Sequence, residues 1–155
     1  MSRMSSIQIR KATVADLAGV LALYRELRPH DPELPADRLP SLWASVAEGA
    51  KSSIIVATVE GDVAATCMLA RIANLASNGR PIGVVEHVIT ADRFRRRGLA
   101  RRVLELALSE AWKDDCCKVI LLSGLQRPQA HGLYESVGFR GDVERGFVAK
   151  APGTS

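Results

Sequence analysis

A junction between a predicted strand and a predicted helix constrains this chain most. Residues 83–90 are rich in β-branched side chains and predict a strand, whereas residues 97–114 carry apolar side chains at helical spacing. Six of the sixteen arginines lie between Arg93 and Arg102, where the helix begins. The first turn of a helix offers free N–H groups and the positive end of a dipole, which together bind anions such as a pyrophosphate. Gly98 would let that ligand approach the backbone closely.

The remaining pattern predicts a mixed α/β (α+β) fold with a mostly antiparallel sheet of six or seven strands and about four helices. Thr13, with Asp16 three residues later, predicts the start of the first helix. Pro40 predicts a break or kink in the second. The predicted strands are residues 7–10, 53–59, 63–72, 83–90 and 118–122, with one or two more in 139–148; the predicted helices are about 13–27, 36–48, 97–114 and 128–138.

Length and composition exclude several classes of protein. A chain of 155 residues with 47% apolar and 25% charged residues predicts one globular domain, here residues 5–151, with a flexible tail at 152–155. No apolar run approaches the roughly 18 residues of a membrane helix, and residues 1–6 do not resemble a secretory signal. Cys67, Cys116 and Cys117 form no Cys-x-x-Cys pair, which argues against a disulfide framework and a metal site and favours reduced thiols in the cytoplasm.

Two motifs give the junction a family resemblance. Residues 95–100, Arg-Arg-Arg-Gly-Leu-Ala, match the pattern [Gln/Arg]-x-x-Gly-x-[Gly/Ala], and Ala130, Tyr134, Gly138 and Phe139 match A-x-x-x-Y-x-x-x-G-F. With the order of the predicted elements, they make the chain resemble the GNAT superfamily of N-acetyltransferases, most strongly over residues 83–139. The resemblance implies the GNAT fold and direct transfer of an acetyl group from acetyl-CoA to a primary amine in a ternary complex.

The same resemblance implies where acetyl-CoA binds. The pyrophosphate would be held by the loop and the first turn of the helix, and the pantetheine arm would lie along the main chain of the fourth strand, where an N–H group would also hold the oxyanion. Arg96 departs from the family pattern, which often has a glycine there. The implied contacts are Val88, Ile89, Thr90, Arg95, Arg96, Arg97, Gly98, Leu99, Ala100 and Arg101.

Two residues are candidates for proton transfer. Tyr134 matches the family's general acid, which returns a proton to the thiolate of CoA; a packing role is the alternative. Glu86 interrupts an apolar strand and is a candidate base for the acceptor ammonium, although it could equally face solvent. In a regular strand His87 would point to the opposite face and would be a packed or surface residue. No cysteine lies in the motif segments, which argues against a covalent acetyl-enzyme.

The acceptor is less constrained by the sequence. Tyr24 and Trp43 would lie near it if the first two helices form one wall, as in relatives, although core packing is equally compatible. His131 could line the site from the last helix, and Arg127 has no assigned role. Three acids between the first helices could attract a cationic substrate: Asp31, Glu33 and Asp37. The absence of an accessory domain favours a small-molecule amine over a protein.

Two other functions remain open at this point. A non-catalytic acyl-CoA-binding regulatory protein would bind CoA without turnover. An arginine-rich module that binds nucleic acid would show affinity falling steeply with salt, but only Phe94 could stack on bases near the arginines, and we expect no nucleic-acid partner. Relatives often form homodimers, but nothing in this sequence demonstrates one.

Overall fold

The computed structural model describes residues 6–125 and 127–154, which form a mixed α/β fold. The outer limits of the predicted domain and tail, residues 5 and 155, lie outside the described residues, as does most of the segment considered for a secretory signal. The elements in chain order are β1 (Ile7–Lys11), α1 (Leu17–Leu27), α2 (Leu39–Trp43), β2 (Ser52–Val59), β3 (Asp62–Ile72), β4 (Ile82–Thr90), α3 (Leu99–Lys113), β5 (Lys118–Leu121) and α4 (Pro128–Ser136).

The sheet has five strands in the sequence order β1-β2-β3-β4-β5. The first three pairings are antiparallel and the β4–β5 pairing is parallel. β2 and β3, predicted as strands at 53–59 and 63–72, form a hairpin in which Glu60 and Gly61 adopt left-handed conformations with φ of 51° and 85°. Such a turn matches the twist of the flanking strands.

Helices cover the two faces of this sheet. Val20 of α1 and Trp43 of α2 pack against Ile54 and Val56 of β2. On the opposite face α3 buries five side chains, Leu99, Val103, Leu104, Ala107 and Ala111. The Cys67 thiol reaches the carbonyl oxygen of Val103 at 3.6 Å from this side.

The start of α1 follows the prediction. A short 3₁₀ turn, Val14–Asp16, precedes the helix, and the backbone N–H of Thr13 donates to Asp16 Oδ2 at 2.8 Å. Arg10 donates to both oxygens of the same carboxylate, at 2.6 and 3.0 Å, and this hydrogen bond lowers the pKa of Asp16. The pair ties β1 to the beginning of the helix.

The second helix is shorter than predicted. Residues 36–38 form a turn, and Pro40 lies in the first turn of α2 instead of its interior, where the missing N–H costs nothing. The helix then widens into a π-helical segment, Ala44–Glu48, which ends before Gly49.

The prediction of six or seven strands is wrong for the part of the chain that the structure describes, because no strand forms in 139–148. Gly141 and Gly146 interrupt this segment, and glycine weakens a strand interior. Val143, Phe147 and Val148 are 63%, 86% and 66% exposed, so no packed face stabilises a strand.

The chain divides into two compact units. One extends through Leu121 and contains the sheet with α1, α2 and α3; the other starts at Leu122 and contains α4 and the segment after it. None of the helices in the described part of the chain combines the length and the apolar character that a membrane span requires.

Candidate active site

β4 changes its pairing halfway along its length. From Ile82 to Val85 each residue pairs with β3 on one side and β5 on the other. From Glu86 to Thr90, the described strands offer pairing with β3 alone. One edge of this open half therefore keeps main-chain groups that no strand of the described sheet uses, and unpaired main-chain groups of an edge are available to an added extended ligand.

The open half begins with a β-bulge. Glu86 pairs with Met68 and Ile89 pairs with Thr66, so that His87 and Val88 together face Cys67. His87 has φ of +53°, a left-handed conformation that a non-glycine residue seldom adopts within a strand. A bulge of this kind leaves the extra residue outside the ladder and turns the local backbone.

The bulge brings Glu86 and His87 to the same side of the sheet. Glu86 pairs with Met68, which pairs with Ile54 on the face that α1 covers. The His87 ring contacts the Tyr24 ring of α1, with centroids 5.1 Å apart and planes tilted by 48°. The expectation that His87 points away from Glu86 is therefore wrong, because it assumed a regular strand. The Glu86 side chain is exposed.

The two aromatic residues predicted near the acceptor differ in their surroundings. Tyr24 lies against the core cluster beside His87, and desolvation by burial raises the pKa of its hydroxyl to about 12. Trp43 is only 5% exposed and belongs to the core itself. Its indole N–H has no hydrogen-bond partner among the described residues. Of the two, Tyr24 is the one that the structure brings to His87.

The segment after β4 forms the predicted basic loop. A 3₁₀ turn, Asp92–Phe94, leads into two left-handed residues, Arg96 with φ of 65° and Gly98 with φ of 71°. The left-handed conformation explains why the family often has a glycine at the position of Arg96. Gly98 is the N-cap of α3, and no side chain caps the helix. A Cβ added to Gly98 would meet nothing within 4 Å, so the approach to the first turn is open.

The arginines of this loop are not equally available to an anion. Arg95 pairs with Asp92 at 2.9 Å, and Arg101 pairs with Glu105 at 2.9 Å. Arg97 lies over the ring of the buried Phe94, with its guanidinium carbon 5.4 Å from the ring centroid. Neither Arg96 nor Arg97 forms an ion pair with a described residue. These two are the loop's uncompensated charges.

The acids predicted to attract a cationic substrate are largely neutralised. Arg28 donates to Asp31 at 2.6 Å and Arg25 donates to Glu33 at 2.8 Å. Only Asp37 lacks such a pair within the described chain. The segment between α1 and α2 therefore carries little net negative charge.

The second unit holds the remaining candidates on or beside α4. Arg127 is the N-cap residue, and its carbonyl oxygen accepts the N–H of His131 at 3.1 Å. The His131 ring contacts the carbonyl oxygen of Gly124 at 2.9 Å. Tyr134 stacks edge-on against Phe139, with ring centroids 6.3 Å apart. The motif residues of this helix thus contact one another within their unit.

The described part of the chain contains no group of three or more side chains arranged to hold a metal ion. Sequence reasoning also missed the bulge and the Tyr24–His87 contact. The only signal was His87 itself, because histidine is among the residues enriched at positive φ.

Comparison with known proteins identifies relatives of this arrangement. The family model described as acetyltransferase (GNAT) family matches residues 18–139. A solved structure from Agrobacterium tumefaciens, named as an acetyltransferase, shares 36% identity over 93% of this chain and 99% of its own, with a TM-score of 0.85. No curated protein matches significantly.

Two more distant solved structures share the fold. Glucosamine-6-phosphate N-acetyltransferase from Arabidopsis thaliana has 22% identity over 94% of this chain and 98% of its own, with a TM-score of 0.81. An aminoglycoside N-acetyltransferase in complex with CoA has 16% identity over 98% of this chain and 99% of its own, with a TM-score of 0.80.

Proposed function

The chain belongs to the GNAT family of acetyltransferases, and we propose that it transfers the acetyl group of acetyl-CoA directly to a primary amine of a small molecule. The observation that carries this proposal is the open half of β4, Glu86–Thr90, which runs through a loop into the uncapped first turn of α3. An extended strand edge followed by an anion-binding helix end suits a ligand with an amide-containing arm and a pyrophosphate.

The residues of the loop fit the phosphate end of acetyl-CoA. Gly98 leaves open space in front of the free N–H groups of α3, where a side chain would stand in the way. Arg96 and Arg97 add positive charge that no carboxylate of the described chain compensates. We assign the first turn to the pyrophosphate, with Leu99, Ala100 and the paired Arg95 and Arg101 around it.

The open half of β4 fits the arm and the reacting end. Acetyl-CoA supplies an activated acetyl thioester. Main-chain groups of Val88, Ile89 and Thr90 would bind the arm as a neighbouring strand does, and an N–H at the bulge would donate to the thioester oxygen as it gains charge. Most of the rate enhancement would come from this positioning and from the oxyanion contact.

Two residues would carry the proton transfers, each assigned on its own evidence. Glu86, on the α1 side of the sheet, would accept the proton of the acceptor ammonium directly or through water, since only the neutral amine attacks. Tyr134 would donate its proton to the departing thiolate, the role that its position in the family motif implies. His131 and Arg127 would contribute to the acceptor end.

The charge distribution favours an acceptor with a single amine. Glu86 is a carboxylate without an ion pair in the described chain, whereas Asp31 and Glu33 are paired with arginines. A polycation would have to displace those arginines, but a monoamine needs only one anion. The free thiols favour a cytoplasmic location.

Thermal melting with acetyl-CoA, ATP and a short DNA duplex tests the proposal first. Acetyl-CoA alone should raise the melting temperature, because a ligand that binds only the folded state stabilises it. An amine panel with a free-CoA readout follows, in which Glu86→Gln and Tyr134→Phe should each lose activity while Glu48→Gln, an exposed control, should not. Stabilisation by DNA instead would favour a nucleic-acid module. Stabilisation by acetyl-CoA without turnover of any amine would favour a regulatory CoA-binding protein.

A further inference from the structure

His87 has a backbone conformation that its position does not ordinarily tolerate. Six non-glycine residues of the described chain have positive φ, and five of them lie in turns or short 3₁₀ segments: Glu60, Ser77, Asn78, Arg96 and Asp115. His87 alone lies within a strand. Glycine adopts this conformation without a steric penalty, so a histidine here needs a compensating interaction from its side chain.

That interaction is the contact between the His87 and Tyr24 rings. Tyr24 is itself fixed, because it packs against the core cluster of Val20, Trp43, Ile54 and Val56. The contact therefore connects the bulge to a helix with a defined position, in a half of β4 that has no pairing with β5.

α1 also contacts the chain just after the open half of β4. Two residues after the end of β4, the backbone N–H of Asp92 donates to Glu26 Oε2 at 3.4 Å. Glu26 lies two residues after Tyr24 on α1. The helix thus contacts the open half of β4 at its beginning and just beyond its end.

We propose that His87 is a positioning residue whose ring, held against Tyr24, fixes the β4 bulge to α1 and thereby sets the direction of the main-chain groups of residues 87 and 88. This inference rests on the proposed function, in which those groups bind the reacting thioester. It assigns no proton transfer to His87: the ring acts through its contact with Tyr24, and the backbone acts on the ligand.

Substitutions at His87 separate this role from the alternatives. His87→Gly keeps the left-handed backbone and removes the ring; we expect kcat to fall about tenfold or more, because small misplacements of reacting groups are costly, while KM for acetyl-CoA changes less than about twofold. His87→Phe keeps a ring against Tyr24 but cannot carry a proton, and it should recover most of the loss. Ser77→Gly, which has the same backbone change in a turn, should leave kcat unaltered.

A readout without substrate keeps the inference independent of the proposed activity. In the NMR spectrum the His87 ring protons should carry a ring-current shift from Tyr24. The Tyr24→Phe variant should keep this shift, and the Tyr24→Leu variant should lose it. In the His87→Gly variant, the amide hydrogen of Val88 should exchange with solvent faster than in wild type. A wild-type protein that acetylates no amine contradicts the proposed function but not these signals. Two results with an active wild type overturn the positioning role. In the first, the His87→Gly variant is as active as wild type. In the second, the His87→Phe variant is as impaired as the His87→Gly variant.

Discussion

The two halves of β4 differ in how fully the sheet uses their main-chain groups. Ile82–Val85 has partner strands on both sides, and its buried residues face Leu69 and its neighbours in β3. Glu86–Thr90 is paired with β3 alone, carries the bulge and contacts α1. The difference teaches that the candidate site begins where pairing with β5 stops, after the first four residues of a nine-residue strand.

The largest effect should come from the paired half. Leu69 is fully buried and faces Val85 across β3 and β4. Leu69→Ala should lower the free energy of unfolding by about 2–5 kcal/mol, because it removes buried methyl groups and leaves a cavity. Urea denaturation measures this loss, and steady-state kinetics below the melting temperature should show KM for acetyl-CoA within about twofold of wild type. Ile72→Ala, at the exposed end of the same strand, is the control. A large change in KM would break the distinction between the halves.

The next largest loss of stability is expected from the ionisation of Tyr24, whose ring contacts His87 in the open half of β4. Burial raises the pKa of its hydroxyl from 10.0 to about 12, so the folded protein binds this proton more tightly than the unfolded chain does. The resulting stability is fully present below pH 10 and is lost as the pH rises to 12, a decrease of about 2–3 kcal/mol. Between pH 10 and 12, the urea midpoint of the Tyr24→Phe variant should fall less steeply with pH than the midpoint of the wild type. The buried Cys67 thiol also titrates in this range and contributes equally in both proteins, so an identical slope in the variant would show that Tyr24 does not contribute to the loss.

A smaller effect is expected where the open half leads into α3. Gly98→Ala places a Cβ in a left-handed residue at the helix N-terminus, which should cost about 1 kcal/mol of stability. KM for acetyl-CoA should rise about tenfold, because the methyl group stands where a phosphate would approach. Arg96→Gly, at the other left-handed position, should not reduce stability, and calorimetry compares the two. Unchanged acetyl-CoA binding by Gly98→Ala would remove this turn from the site.

The smallest change in the free energy of unfolding is expected when the Arg101–Glu105 ion pair is broken. Both side chains are about half exposed, and surface pairs four residues apart on a helix contribute little. Glu105→Gln should change the free energy of unfolding by less than about 0.5 kcal/mol and free Arg101 for an anion. KM for acetyl-CoA should then stay equal or fall, with a stronger dependence on salt. An increase in KM would mean that the pair positions the loop rather than shielding its charge.

The sequence predicted the elements that repeat a pattern. The helical stripe of α3, the strands β2 and β3 and the Thr13–Asp16 start of α1 follow from spacing and local hydrogen bonding, which act over a few residues. The basic loop and Gly98 were also predictable, because glycine and a helix N-terminus leave clear signals.

What the sequence did not predict depends on contacts between distant segments. The bulge arises from the pairing of β4 with β3, and His87 turns toward α1 only because of it. The partners of Arg95 and Arg101 depend on side-chain geometry that no spacing fixes. The segment at 139–148 has β-prone residues but no packed face, so propensity alone gave the wrong result there.

Because the cysteines differ in burial, the number of thiols that react with a disulfide reagent should differ between the folded and the unfolded protein. Only a thiolate reacts with disulfide reagents; burial raises the pKa of Cys67 to about 12 and also raises that of Cys116, whereas Cys117 is half-buried. The native protein should therefore react at one sulfur and the unfolded protein at all three. A colorimetric assay of liberated CoA would carry a background of a single equivalent of enzyme thiol, and the same reagent would report the unfolded fraction of every variant directly.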